Sequence, residues 1–329
     1  MTKLPLTAAI PDYDHVRDLV MGRVPVEGIE LNCLTLPVEE IFYRFIVYKE
    51  WEVSEISLAK YVSLTAQGDE SFYALPVFPS RVFRHSSLYV RKDGPIKAIT
   101  DLKGRRVGLP EWAQTAAVYS RGLLQHEYGI DLASIKWVQA GVNQPGRIEK
   151  VDLQLPKGVE IDRRPDKSLN GMLLSGEVDA VLAARPPAAF VQGDPNIRRF
   201  FENYKQIEAE YYKKTGIFPI MHAVAVRRDV LNKNPWVARS LFNAFVEARH
   251  RALERAFDGT VSLYPIPWAD THAREGYELL GKDYFPYGIE ENRKTLEAFL
   301  KYAHEQGVCK RLLKLEELFP KQLTSTHKV

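Results

Sequence analysis

The stretch Phe78-Pro79-Ser80-Arg81-Val82-Phe83-Arg84-His85-Ser86-Ser87-Leu88-Tyr89-Val90-Arg91 follows an apolar strand, turns through a segment dense in basic side chains, and then runs extended from Ser86 to Arg91. It reads as a chain leaving one lobe for another. Upstream, short apolar runs alternate with amphipathic stretches, the signature of β-α units that feed a largely parallel sheet. Leu4 to Ile10 reads as a strand and His15 to Met21 as a helix. Gly28 to Leu34 is the next strand, and Pro37 opens a helix with Ile41, Phe45 and Tyr48 on one face. Val53 to Ala59 is a third strand, and Tyr73 to Phe78 a fourth, which Pro76 pushes toward a sheet edge or an early stop.

Downstream a second β-α rhythm begins. Asp101 to Leu109 reads as a turn and strand, Thr115 to Glu127 as a helix and Lys136 to Ala140 as a strand. Ser168 to Ser175 is a helix ended by Gly176, and Asp179 to Ala183 a strand closed by Arg185-Pro186-Pro187. A helix around Glu202 to Lys214 precedes a returning strand, Met221 to Arg227. Helices follow at Pro235 to Phe257, His272 to Leu280 and Glu290 to Gln306. The expected architecture is two α/β lobes, residues 1–92 plus 224–329 and residues 93–223, crossed twice by the chain. A ligand cleft is expected beyond the carboxyl ends of the strands.

The 329 residues match about two domains of the usual 100 to 200 residues. With 45% apolar and 26% charged residues the chain is neither disordered nor membrane-embedded. Its 45 Lys and Arg against 42 Asp and Glu leave +3, too little for a nucleic-acid surface. The start of the sequence carries no apolar signal core, and no run of about 18 apolar residues occurs, so a cytoplasmic location without membrane contact is expected. The two cysteines, Cys33 and Cys309, have neither CxxC nor Cys/His spacing.

Dinucleotide, P-loop and nucleophile-elbow motifs are absent. His126-Glu127 begins like a zincin motif, but Ile130 stands where the second histidine belongs. The candidate site residues come instead from predicted strand ends. Arg81 and Arg84 can each grip a carboxylate with a planar fork of donors, Arg81 ahead of Arg84, and His85 beside them suits proton transfer. Glu111, Trp112 and Thr115 lie in a strand-to-helix turn whose free amides favour an anion. Arg185 ends a strand, His222 enters the return crossing, and Ser57, Lys60 and Ser80 stand near the ends of the third and fourth strands. Ordinary structural roles compete for each: a hinge histidine, an N-cap threonine, a sealing tryptophan, a solvated lysine.

Several segments together carry a resemblance. Val53-Ser54-Glu55-Ile56-Ser57-Leu58, Pro79 to Ser87, Thr115-Ala116-Ala117-Val118 with Gln125-His126-Glu127-Tyr128-Gly129, Ala184-Arg185-Pro186-Pro187 and Gly216 to His222 resemble, in the same order, the 4,5-dihydroxyphthalate decarboxylase family. The resemblance implies the two-lobed clamshell of type II periplasmic binding proteins. It also implies conversion of 4,5-dihydroxyphthalate to 3,4-dihydroxybenzoate and carbon dioxide. Direct loss of carbon dioxide would leave an undelocalised in-plane carbanion, so ring protonation comes first, driven by the hydroxyl para to the reacting carbon.

This chemistry asks for no redox or electron-sink cofactor and leaves a divalent metal open. Arg81, Arg84 and Arg185 are expected on carboxylates, and His85 or His222 as the proton donor. The other histidine, Lys60 or Glu111 is expected on the phenol, Ser57, Ser80 and Thr115 as further substrate contacts, and Trp112, Phe78 or Phe83 as an apolar wall. The expected partner is a small aromatic dicarboxylate, with homo-oligomerisation left open. A cytosolic carrier or sensor of aromatic carboxylates, and a decarboxylase of a related hydroxylated acid, are the competing readings.

Overall fold

A computed structural model describes residues 2–324. The first part of the chain forms β1 (Leu4–Ala9), α1 (Asp14–Val20), β2 (Ile29–Leu34), α2 (Val38–Tyr48), β3 (Val53–Ser57), α3 (Leu58–Gln67) and β4 (Phe72–Arg81). The middle forms β5 (Leu88–Arg91), β6 (Arg106–Leu109), α4 (Thr115–His126), β7 (Lys136–Gly141), β8 (Ile161–Ser168), α5 (Leu169–Ser175), β9 (Ala180–Leu182), α6 (Ala188–Val191), β10 (Ile197–Arg199) and α7 (Tyr204–Thr215). The chain then returns through β11 (Ile220–Arg227), α8 (Arg228–Lys233), α9 (Val237–Phe257), α10 (Ala269–Leu280), α11 (Arg293–Glu305) and α12 (Lys321–Thr324).

Two sheets result, ordered β2-β1-β3-β11-β4 and β10-β5-β9-β6-β7-β8. This is the two-lobed α/β arrangement expected, with the crossings placed slightly differently. The first sheet ends at Arg81, and β5, expected in the first lobe, pairs with β9 and β10 of the second. The returning strand enters at Ile220 and runs antiparallel between β3 and β4. Pro76 is tolerated because β4 is the edge strand.

Periodicity decided the elements where one face is apolar. α2 buries Ile41 and Phe45 completely and ends at Lys49, in the left-handed region at φ 52°. β8 carries no strand signal in its sequence: Ile161-Asp162-Arg163-Arg164-Pro165-Asp166-Lys167-Ser168 has no apolar alternation, and it forms by adding to the edge of β7.

Behind the cleft the lobes are joined by packing. The larger apolar core continues from the first sheet into Trp112, Tyr119 and Trp137 of the second lobe. α4 lies on α11 so closely that a Cβ at Gly122 would stand 2.5 Å from the Tyr302 ring, which only glycine avoids. A second, smaller core lies under α5, around Leu169, Leu173 and Val181.

Candidate active site

β1 to β4 run one way, so their carboxyl ends and the amino end of β11 share one edge of the first sheet. That edge gathers a histidine and a tyrosine within hydrogen-bond reach of one buried carboxylate. His222 lies opposite Ser57 on one side and Ser80 on the other, with Glu55 diagonal to it on the same face of the sheet. The Glu55 carboxylate has no exposed surface, and its Oε1 takes both His222 Nδ1 at 2.5 Å and the Tyr13 hydroxyl at 2.8 Å. Phe42 stands edge-on to the imidazole, centroids 4.9 Å apart.

A carboxylate on Nδ1 fixes the ring's orientation and tautomer and leaves Nε2 as its working atom. No protein group among the described residues bonds Nε2, and the side chain keeps 19% of its surface exposed. Burial, then the Glu55 charge, push the Tyr13 phenol up, so Tyr13 serves as a hydrogen-bond donor. Tyr13 stacks on His15, which burial lowers to about 4. That ring is therefore neutral near pH 7, and its Nε2–H donates to the Pro79 carbonyl at 2.9 Å.

The second lobe meets this edge at the start of α4. Thr115 does not cap its helix: its hydroxyl contacts Ser57 Oγ at 3.0 Å and accepts the Ala59 amide at 3.0 Å, tying the lobes together. Lys60 and Glu111, expected on the phenol, hold each other. Lys60 Nζ lies 2.7 Å from Glu111 and 2.6 Å from Glu149, while Arg147 meets Glu111 at 2.5 Å. Burial pushes Glu149 up, but Lys60 and the Ala113 and Lys150 amides outweigh it and hold the carboxyl below its usual range. These charges are already paired and buried across the lobe boundary.

The arginines divide sharply. Arg81 donates to the Phe218 carbonyl at 3.3 Å, the Pro286 carbonyl at 2.5 Å and Asn292, enclosed by Phe78, Phe218 and Phe285. Its forks bind main-chain segments rather than facing a ligand. Arg84 is equally buried, but among the described residues its side chain hydrogen-bonds only Met221 Sδ, at 2.7 and 3.2 Å, and Ser87 Oγ at 3.4 Å. Arg185 forms a two-pronged pair with Glu39 of α2, both bonds 2.9 Å.

His85 and Trp112 do not line the cleft. His85 is 3% exposed, edge-on to Tyr128, Phe201 and Tyr211, its Nδ1 without a partner among the described residues, and burial lowers it to about 4. A ring boxed in this way is a neutral hinge residue. Trp112 is fully buried, donates its indole N–H to the Gln306 carbonyl at 2.7 Å and lies 3.7 Å beneath the Arg121 guanidinium. Among the described residues no three His, Cys, Asp or Glu side chains are grouped to hold a metal.

Glu55, Tyr13, Phe42 and Glu39 join the site through contacts that residue type and spacing do not mark. Glu55 left a signal: a carboxylate inside the otherwise uncharged run Val53 to Ala59 has to be partnered if that strand is buried.

Comparisons with known proteins bear on the family and the fold. The NMT1/THI5 like family model matches residues 82–154. A 4,5-dihydroxyphthalate decarboxylase of Comamonas testosteroni is 38% identical over 320 residues, 97% of this chain and 97% of that protein. One of Pseudomonas putida is 38% identical over 214 residues, 65% of this chain and 83% of that protein. Among solved structures, the sulfonate-binding protein SsuA of Methylobacillus flagellatus KT superposes with a TM-score of 0.57 at 15% identity, covering 98% of this chain and 94% of its own. The aliphatic sulphonate binding protein SsuA of Escherichia coli gives 0.53 at 12% identity, covering 98% and 99%. These structures share the fold, that of periplasmic solute-binding proteins.

Proposed function

The chain belongs to the 4,5-dihydroxyphthalate decarboxylase family and is a carboxy-lyase, and on that premise we propose that His222 carries the proton which releases carbon dioxide from 4,5-dihydroxyphthalate. The observation that supports this reading is the contact between Glu55 and His222 Nδ1, with Nε2 left unbonded at the cleft edge.

The chemistry balances without a change of oxidation state. Nε2–H gives its proton to the ring carbon that bears the leaving carboxylate, while the para hydroxyl releases its own to solvent and pushes electrons into the ring. A dienone forms. The bond to the carboxylate then breaks, its electron pair restores the aromatic ring as a phenolate, and carbon dioxide leaves. The phenolate is reprotonated, His222 recovers its proton from solvent, and the product is 3,4-dihydroxybenzoate. Glu55 fixes the imidazole so that Nε2 is the atom offered to the ring, and Tyr13 holds that carboxylate in place. Phe42 supplies an apolar wall beside the acid, which favours loss of a charged carboxylate as neutral gas.

We propose that the reaction is cytoplasmic; Cys33 and Cys309 are free thiols, as a reducing compartment keeps them. The test is to incubate the protein with 4,5-dihydroxyphthalate, with and without a chelator, and to follow carbon dioxide and 3,4-dihydroxybenzoate. Stoichiometric release of both by the wild type, and its loss in His222→Asn, is the expected result. Tight binding without turnover would select a carrier instead, and full turnover by His222→Asn would remove that residue from the chemistry.

A further inference from the structure

We propose that Arg84 anchors the carboxylate that survives the reaction, and is thereby the point at which product competes with substrate. The inference rests on the decarboxylase reading above and names one subsite of it.

Among the described residues four arginines are buried: Arg81, Arg84, Arg121 and Arg249. Three have oxygen partners at 3.0 Å or less: Arg81 the Pro286 carbonyl at 2.5 Å, Arg121 the Trp112 carbonyl at 2.7 Å and Gln306 Oε1 at 2.9 Å, and Arg249 the Phe285 carbonyl at 2.9 Å and Asp283 at 3.0 Å. Arg84, 8% exposed, has none among the described residues. Its Nε and Nη2 rest on the Met221 thioether, a weak acceptor, and its Nη1 reaches the Ser87 hydroxyl at 3.4 Å. Glu208, the neighbouring carboxylate, is engaged by the Ser86 amide at 3.1 Å and makes no ion pair with Arg84 within 4 Å.

A buried cation whose neighbouring carboxylate, Glu208, acts on it only from beyond 4 Å and is already bonded to the Ser86 amide gains when a second anion arrives to pair with it directly. Burial lowers the Arg84 guanidinium to about 10, which still leaves it charged near pH 7.

Its position agrees. Met221 immediately precedes His222, and the Ser87 carbonyl accepts the Ala183 amide two residues before Arg185. Arg84 therefore sits where the amino end of β11 meets the cleft ends of β5 and β9. The two carboxylates of the proposed substrate stand on adjacent ring carbons. Gripping one fixes the ring and sets the neighbouring carbon for His222. A grip on the retained group is the same before, during and after the reaction, so it lowers KM without raising kcat, and it holds product as well as substrate.

Arg84→Met keeps volume in an apolar surrounding and removes the charge. For a lost bond between charged groups, KM for 4,5-dihydroxyphthalate should rise by about 10- to 100-fold with a much smaller fall in kcat. The inhibition constant of 3,4-dihydroxybenzoate should rise by the same factor. Calorimetry separates recognition from folding: binding of catechol, which lacks the carboxylate, should be unchanged in Arg84→Met, while phthalate binding should be lost. Arg84→Lys should recover part of both. Unchanged constants for substrate and product, equal losses for catechol and phthalate, or no phthalate binding by the wild type would each overturn the proposal. Arg84-dependent phthalate binding without any turnover would retain the subsite and reject the decarboxylase reading.

Discussion

Glu39 on α2 and Arg185 beyond β9 clasp each other across the mouth of the cleft, two N–H donors to two carboxylate oxygens at 2.9 Å. The residue expected to grip a substrate carboxylate thus holds one supplied by the opposite lobe. Its side chain is 68% exposed and that of Glu39 39%, so the pair is a solvent-facing clasp worth roughly 0.2 to 1 kcal/mol. Glu39→Gln should change KM by no more than about fivefold. Measured against ionic strength, the wild-type KM should drift toward that of the variant as salt screens the pair. A variant effect that persists undiminished in high salt would contradict this.

Glu55→Gln keeps the shape of the dyad and removes its charge. We expect kcat to fall by about 10² to 10⁴, the usual contribution of a positioned acid–base group, with KM moving far less. Tyr13→Phe removes one bond to the same carboxylate and should cost about 1 kcal/mol, a several-fold fall in kcat. Steady-state kinetics on the three proteins checks the order: wild type, Tyr13→Phe, Glu55→Gln.

His15 and His85 make stability depend on pH in a defined direction. Burial lowers each from 6.5 to about 4, so both are neutral in the folded protein while the unfolded chain takes up protons below pH 6.5. Their contribution is fully present above pH 6.5 and is lost progressively as pH falls toward 4. It amounts to on the order of 3 kcal/mol for each ring. His85→Phe should flatten the fall in Tm between pH 6.5 and 4 and leave kcat at pH 7 near the wild-type value, because His85 is walled off from the cleft.

Lys60→Met would leave Glu111 and Glu149 buried beside one another with Arg147 and Lys150 as their remaining counter-charges. Removing one member of such a cluster costs about 3 kcal/mol. The double variant Lys60→Met with Glu149→Gln should recover part of that loss, as denaturant unfolding curves can test.

Much of the architecture was legible because it depends on local periodicity. The apolar face of α2, the Gly176 stop of α5 and the edge placement around Pro76 follow from residues within a few positions of each other. The site was legible only to the level of residue type. His85 and His222 both lie at lobe crossings; what separates them is Glu55, 167 residues from His222 and hidden inside a buried strand. Arg81 and Arg84 are equally basic and three positions apart. The carbonyls of Phe218 and Pro286 that bind Arg81 come from far along the chain, and no spacing rule reaches them.

β11 occupies the slot between β3 and β4, yet the ribosome makes it only after the whole of the second sheet. Until residue 220 emerges, β3, whose five residues are all buried in the finished molecule, and β4 each present an unpaired flank. A nascent or truncated chain is for that interval a ready template for wrong pairing. The strand that closes the gap also delivers His222, so the event that removes the aggregation hazard is the one that arms the enzyme.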